Sequence, residues 1–280
     1  MSRAMKLLGV CLAGAFLAAG APAQDGRDAF MKDLQALTKN PHRLAGVDEG
    51  SRAASQYVEQ RLKEIGIKEV YIQEFPVVQS RMVECHLEAD GQKHQIYAAR
   101  PNLFQASITP AEGLSGDTVY LGSGDLIDFG RESVTGRIAV VDFDCGKNWL
   151  NAFAFGARAV LFVDRTSRTV LPYHHINMPA NLPRFYVTAE VAEKLGLTQK
   201  SRKVKILAAA AWEEEEGRNV IGVIRGTAGV FNESRPKESE AVVLAAPLDS
   251  FSEVPDLSAG ARDAGNVAAL RHIAEKLSRT

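Results

Sequence analysis

The chain has 280 residues, 46% of them hydrophobic and 24% charged, with 33 basic against 34 acidic side chains. That is room for one large or two small globular domains of ordinary soluble composition. A formal net charge of −1 supplies no attraction to nucleic acid or to an anionic membrane surface, so neither is expected as a partner.

In chain order, Arg3 and Lys6 precede an apolar run over 7–19, and Ala21-Pro22-Ala23 follows with small residues at the usual cleavage positions. This reads as a secretory signal peptide over 1–23, cut before Gln24. The apolar run is too short for a membrane span. Val10 is bulky for a lipoprotein site at Cys11. The mature protein is therefore expected to be secreted or periplasmic, with no integral membrane span after signal cleavage. Cys85 and Cys145 then remain. An oxidising compartment permits a disulfide between them, and two buried free thiols are equally compatible with the sequence.

Phe30, Leu34 and Leu37 predict a helix ending before Asn40-Pro41. Asp48 is placed to cap a second helix, lined by Ala54, Tyr57, Val58, Leu62 and Ile65 and stopped by Gly66. A strand over 69–75 follows, closed by Pro76. The segment 81–99 predicts a β-hairpin about Asp90-Gly91, a favoured two-residue turn. That turn pairs Ala89 with Gln92, Leu87 with His94 and His86 with Gln95, which puts His86 and His94 on opposite sheet faces and makes them poor partners for one metal.

From 114 to about 207 the pattern changes. Strands are expected around Val119-Tyr120-Leu121, over 136–141, over 156–163 and over 182–187, with a short helix from Trp149 to Phe155. Gly122-Ser123-Gly124-Asp125 resembles a phosphate loop only in its glycines, and a turn is expected there. His174-His175 are adjacent and point opposite ways on an extended strand. No third ligand accompanies them. Residues 213–216 are four glutamates, expected as a solvated run ahead of a strand over 218–227. Asn232-Glu233-Ser234 forms a glycosylation sequon.

The stretch 240–270 is the one with chemistry. Val242, Val243, Leu244, Ala245 and Ala246 form a short apolar run, as in a strand buried on both faces. Asp249 and Ser250 fall where that strand ends. Val267, Leu270, Ile273, Ala274 and Leu277 recur at helical spacing and predict a helix over 266–278, with Asp263 just ahead of it. An acidic residue at a strand's carboxyl end, with a second opening the next helix, is a usual place for an α/β active site.

These motifs resemble the co-catalytic zinc aminopeptidase family, which includes glutamate carboxypeptidase and the transferrin receptor. In that family the strand ends Ala-His-Tyr-Asp-Ser and the helix entry reads Gly-Ala-x-Asp-Asn-Ala-Ser-Gly. The resemblance makes Asp249 the match of the aspartate that orients the first zinc's histidine. It makes Asp263 the match of the aspartate that bridges both zincs. The histidine position itself is Pro247, a lost ligand. The amino-terminal wording Pro41-His42-Arg43-Leu44-Ala45-Gly46, the helix, Gly66-Ile67 and Glu74-Phe75-Pro76 resembles the same family, where His42-Arg43 would lie in a structural loop. Residues 114–207 resemble the protease-associated (PA) domain often inserted in it, most specifically through Gly136-Arg137-Ile138-Ala139-Val140-Val141 and the helix and strand that follow.

The resemblance implies a partial peptidase-like α/β sheet domain carrying an inserted β-rich PA-like domain. Residues 24–76 would form the amino-terminal part of the peptidase-like domain, 77–217 an insertion containing the PA-like module, and 218–280 the start of the metallopeptidase-like α/β domain. Two zincs sharing a water need about five protein ligands and a separate carboxylate to take the proton. By the resemblance, the remaining ligands lie later in the family's fold than Thr280. The expectation is a vestigial site: Asp263 as a relict metal position, Asp249 with no histidine to orient, no catalytic residue and no resident zinc. Glu253 and Asp256 lie between the motifs and could approach Asp263 as weak calcium ligands. A peptide or protein is the expected partner, either as substrate by family resemblance or as ligand of the PA-like module. The incomplete sheet is expected either to be covered by a partner chain or to belong to a longer protein of which this sequence is a part.

Overall fold

The computed structural model describes residues 24–40, 43–45, 49–102, 105–130, 132–165, 178, 180–226, 241–250, 252–258 and 260–279. The signal segment 1–23, Pro41-His42, Asp48, His174-His175 and the 232–234 sequon lie outside the described residues.

The fold is mixed α/β, built on one eight-stranded sheet. Two long strands, β1 (Glu69–Ala89) and β8 (Lys203–Val223), pair antiparallel as a ribbon from Glu69 opposite Val223 to Glu88 opposite Lys205. β1 turns at Asp90-Gly91 into β2 (Gln92–Gln95) in the register expected, with His86 opposite Gln95 and Leu87 opposite His94. Both turn residues have positive φ, 49° and 74°, which suits the twist of a two-residue hairpin. Beyond β8 lie β4 (Leu114–Tyr120), β5 (Ile138–Asp142), β6 (Ala159–Val163) and β7 (Arg184–Val187). These four run parallel, and the short β3 (Tyr97–Ala98) closes the far edge antiparallel to β7.

The parallel strands read as unbroken apolar runs because both their faces are covered. β6 is buried at every position. On one face Ile138, Val140 and Leu161 pack with Leu87, Ile96, Ile206 and with α4 (Ala189–Leu195). On the other, Ala139, Val141, Val160 and Phe162 pack under α3 (Trp149–Ala154), whose Trp149 is fully buried. Helix α4 has a complete set of end signals. Thr188 Oγ1 accepts from Val191 N at its start, and left-handed Gly196 ends it.

The opposite end of the ribbon carries a helical layer. Helices α1 (Gln24–Thr38), α2 (Glu49–Glu64) and α5 (Ala261–Ser278) pack together through Leu37, Ala54, Ala264 and Val267, joined by Ala246 and Leu248. Asp33, only 2% exposed, ties the three helices electrostatically. It accepts from Tyr57 Oη at 2.7 Å and Arg61 Nε at 3.0 Å on α2, and from Arg271 Nε at 2.6 Å on α5.

Several expectations need correction. The strand expected to stop at Pro76 continues to Ala89, with Pro76 opposite Glu216. Among the described residues β1 has a paired neighbour on one side only along that half, and a residue without an N–H is tolerated beside an open edge. The glutamates 213–216 lie inside β8 rather than ahead of a strand, since the strand runs unbroken from Lys203. Alternate side chains of such a ribbon reach water, so a charged run fits within it. The run 242–246 forms no strand. Val242 and Val243 are 89% and 84% exposed. An apolar run becomes a central strand only when strands flank it, and among the described residues none does. Finally, α5 starts at Ala261, so Asp263 sits in its first turn. Its buried face is Asp263, Ala264, Val267, Ala268 and Arg271, packed on α1 and α2, while Ile273 and Leu277 face outward.

Candidate functional site

The two motif segments are brought together by Arg43, which is 1% exposed. Its backbone exchanges hydrogen bonds with Ser250: Arg43 N donates to Ser250 Oγ at 2.9 Å, and Ser250 N donates to Arg43 O at 3.0 Å. Its guanidinium donates to Leu37 O at 2.6 Å, to Leu248 O at 3.3 Å and to Gly260 O at 2.8 Å. One planar, permanently charged fork thus satisfies carbonyls from the end of α1, from the segment carrying Asp249 and from the residue that precedes α5. Gly260 takes a left-handed conformation, φ 66°, at that entry, a geometry glycine adopts without strain.

Asp263 is 5% exposed and accepts from Arg262 Nε at 3.2 Å. A carboxylate in the first turn of a helix is also favoured by the helix dipole. Asp249 is half-buried and Pro247 is exposed. The sequence-predicted positions therefore share one region, organised by Arg43 rather than by a metal ligand set. Nothing in the sequence pattern marked Arg43 as the hub, because its partners are carbonyls and carry no side-chain signature.

Glu253 and Asp256 do not join Asp263. Glu253 is 2% exposed and faces Arg100 and Arg184 across the sheet's far half, while Arg100 N donates to Glu253 O at 2.9 Å. Burial outweighs both arginines and pushes the Glu253 carboxyl up to about 7. Arg184, itself brought down to about 10 by burial, lies over the Trp149 ring at 5.4 Å. Asp256 sits near enough to Cys85 to raise that thiol, already pushed up by burial.

Among the described residues no three His, Cys, Asp or Glu side chains converge as a metal site. The donors fit a zinc pair poorly. Pro247 offers no ligand atom two residues ahead of Asp249, and Asp263 is held by Arg262. His86 lies between Glu84 at 3.3 Å and Glu88 at 3.4 Å, and His94, on the other face, is buried. Gly122-Ser123-Gly124-Asp125 is a turn running into a short 3-10 helix, Leu126–Gly130. Cys85 and Cys145 are free thiols.

No family model and no curated protein matches the chain. Solved structures do. The chain is similar to BSAP, a zinc aminopeptidase from Bacillus subtilis, at TM-score 0.63 and 20% identity over 90% of this chain and 57% of that one. It is similar to an aminopeptidase from Aneurinibacillus sp. strain AM-1 at TM-score 0.53 and 20% identity, over 90% and 59%. It is also similar to a Peptidase M28 precursor from Shewanella amazonensis SB2B at TM-score 0.55 and 20% identity, over 89% and 63%. The chain therefore has a zinc-aminopeptidase-like α/β fold and spans about three fifths of the length of these structures. Among the described residues no helix is long and apolar enough to cross a membrane.

Proposed function

We propose that the chain is a secreted or periplasmic member of the co-catalytic zinc aminopeptidase family and that these 280 residues do not themselves form a working zinc pair. The observation that carries this reading is the Arg43 hub, which sets the Asp249 segment and the Asp263 helix entry side by side while Pro247 stands in the histidine position. The likeness of fold to solved zinc aminopeptidases supports it. Residues 24–76 and 218–280 are assigned to the peptidase-like domain and 77–217 to an insertion whose 114–207 portion is the PA-like module. By the family resemblance, the ligands that would complete a zinc pair come from later in the fold than the portion shared here.

The test is metal content and peptidase activity of purified 24–280. The expected result is well under one zinc per chain and no release of amino-terminal residues from peptides. About two tightly held zincs together with turnover would overturn the proposal.

A second reading, a peptide- or protein-binding role for the PA-like module, has its own observation. Leu126, Ile127, Phe153 and Phe155 are 45–77% exposed, and Phe129 meets Phe155 at 5.0 Å beside a groove of about 270 Å³. Apolar groups clustered on a surface mark contact sites. Calorimetric titration of the full chain with an unbiased set of extended peptides tests it, with Phe155→Ser as the control expected to abolish any heat of binding.

A further inference from the structure

The loop between the two motif aspartates is fastened to both halves of the molecule. At Leu248, Ser250 and Gly260 it is held by Arg43 in the helical layer. At its middle it is plugged into the far half of the sheet. Val254 is fully buried with Val119, Val141, Trp149 and Phe162, and Leu257 packs on the same cluster. The loop closes on itself through Leu257 N to Val254 O at 3.0 Å and Val254 N to Ser252 Oγ at 3.1 Å.

Glu253 is the polar residue inside that plug. Its backbone oxygen is used by Arg100 N, but its Oε2 is buried and has no hydrogen-bond partner among the described residues. The charged groups that face it are Arg100, just after β3, and Arg184 on β7; no acidic group is among its significant neighbours. A neutral carboxyl leaves one modest unsatisfied atom in this setting, whereas an ionised one leaves a buried anionic oxygen without a donor.

We propose that Glu253 is a protonation latch: the neutral carboxyl keeps the 252–257 loop docked on the sheet, and ionisation loosens that loop and the tether it forms between the Asp249 and Asp263 segments. The proposal is independent of whether the chain belongs to a peptidase family. The direction follows from proton linkage. Docked, the carboxyl titrates at about 7 instead of 4.5. Between those values the docked loop keeps a proton that the released loop has already given up, so rising pH favours release and the effect levels off above about 7. The difference corresponds to a roughly 300-fold change in the docked-to-released ratio over that window. An arginine guanidinium keeps its proton over this range, so the change is carried by the carboxyl alone.

The experiment is amide hydrogen exchange of the full chain at pH 5.5 and 8.5, corrected for intrinsic exchange and read on peptides spanning 252–257. Wild type is expected to lose protection in that loop by at least tenfold at the higher pH, while β5 and β6 stay protected. Glu253→Gln, a neutral isostere, is expected to keep the loop protected at both pH values. The idea is overturned if wild-type protection does not change with pH, or if Glu253→Gln shows the same loss as wild type. Should the glutamine variant fail to fold, the wild-type titration decides, because a loss that continues to grow well above pH 7, or one spread over the whole sheet, also rejects the latch.

Discussion

Arg43 and Ser250 hold each other at two points, the arginine N–H on the serine hydroxyl at 2.9 Å and the serine N–H on the arginine carbonyl at 3.0 Å. That short two-way bridge joins chain segments some two hundred residues apart. It leaves the guanidinium free to reach carbonyls on either side of the site. The chemistry of the site region is therefore secondary to its carpentry: one buried arginine sets the relative position of both motif segments.

Arg43→Leu is expected to destabilise the protein by about 3–5 kcal/mol, since several buried carbonyls lose their donor at once. Arg43→Lys recovers little, because a single ammonium cannot span the same carbonyls in a planar fork. Urea unfolding of the three proteins measures this. A loss under about 1 kcal/mol for the leucine variant contradicts the hub role.

The helical layer depends on Asp33. Replacing it by alanine takes from Arg271, whose side chain is 4% exposed, the partner of its Nε and leaves it Glu275, and is expected to cost about 2–4 kcal/mol. The double variant with Arg271→Met should regain part of that, as the half-paired buried charge is removed as well. A double-mutant cycle by thermal or urea denaturation gives the coupling.

Both cysteines are expected to be unreactive in the native state. Burial pushes each thiol up to about 12, so almost no thiolate exists at pH 8, where an ordinary cysteine would already react. A disulfide-exchange reagent should label neither thiol quickly in the folded protein and both at once in denaturant. Fast labelling of one thiol before unfolding would show that it is not buried as described.

Gly113 is a stringent backbone position. Its φ is +83°, and an added Cβ would lie 3.0 Å from Ile206 O and 2.6 Å from Lys205 Cε. Lysine can swing away but the carbonyl in β8 cannot. Gly113→Ala is expected to cost about 1–3 kcal/mol. Gly91→Ala, also at positive φ but with open space around it, should cost only about 1–2 kcal/mol. Comparing the two denaturation midpoints separates steric from conformational cost.

Much of the fold was legible where the signal is local. Asp90-Gly91 set the hairpin register, and the unbroken apolar runs at 138–141 and 159–163 set the buried parallel strands. The strand expected over 69–75 forms and pairs with 217–223, inside the second strand expected near there. Failures came where context decides. The apolar run 242–246 reads as a core strand, yet strand formation needs neighbours that the described residues do not provide. Pro76 reads as a stop, yet it sits along the one-sided half of β1. The helical face of α5 was placed through Val267, Leu270, Ile273, Ala274 and Leu277; Val267 is buried, but the rest of the buried face is built on Asp263, Ala264, Ala268 and the charged Arg271. Periodicity registers apolar side chains and is blind to an arginine buried by an aspartate from another helix. In the site region, Asp249 and Asp263 were singled out by the strand-and-helix pattern and by resemblance, but Arg43 and the turning of Glu253 toward Arg184 depend on long-range contacts that leave no spacing at all.

The β1–β8 ribbon also constrains how the protein is made. Its two strands flank the entire β2–β7 region in sequence, so the first cannot pair along its length until everything between has been synthesised and has folded. Closure of so large a loop is slow, and pairing should begin at the Glu88–Lys205 end, where the intervening sheet has already drawn the strands together. Zippering then runs outward toward Glu69 and Val223. Until it finishes, the part of β1 ahead of its hairpin with β2 is unpaired on both edges and exposes Val78 and Val83, which makes the interval between its emergence and the arrival of β8 the period of greatest exposure to misassociation and to chaperone capture.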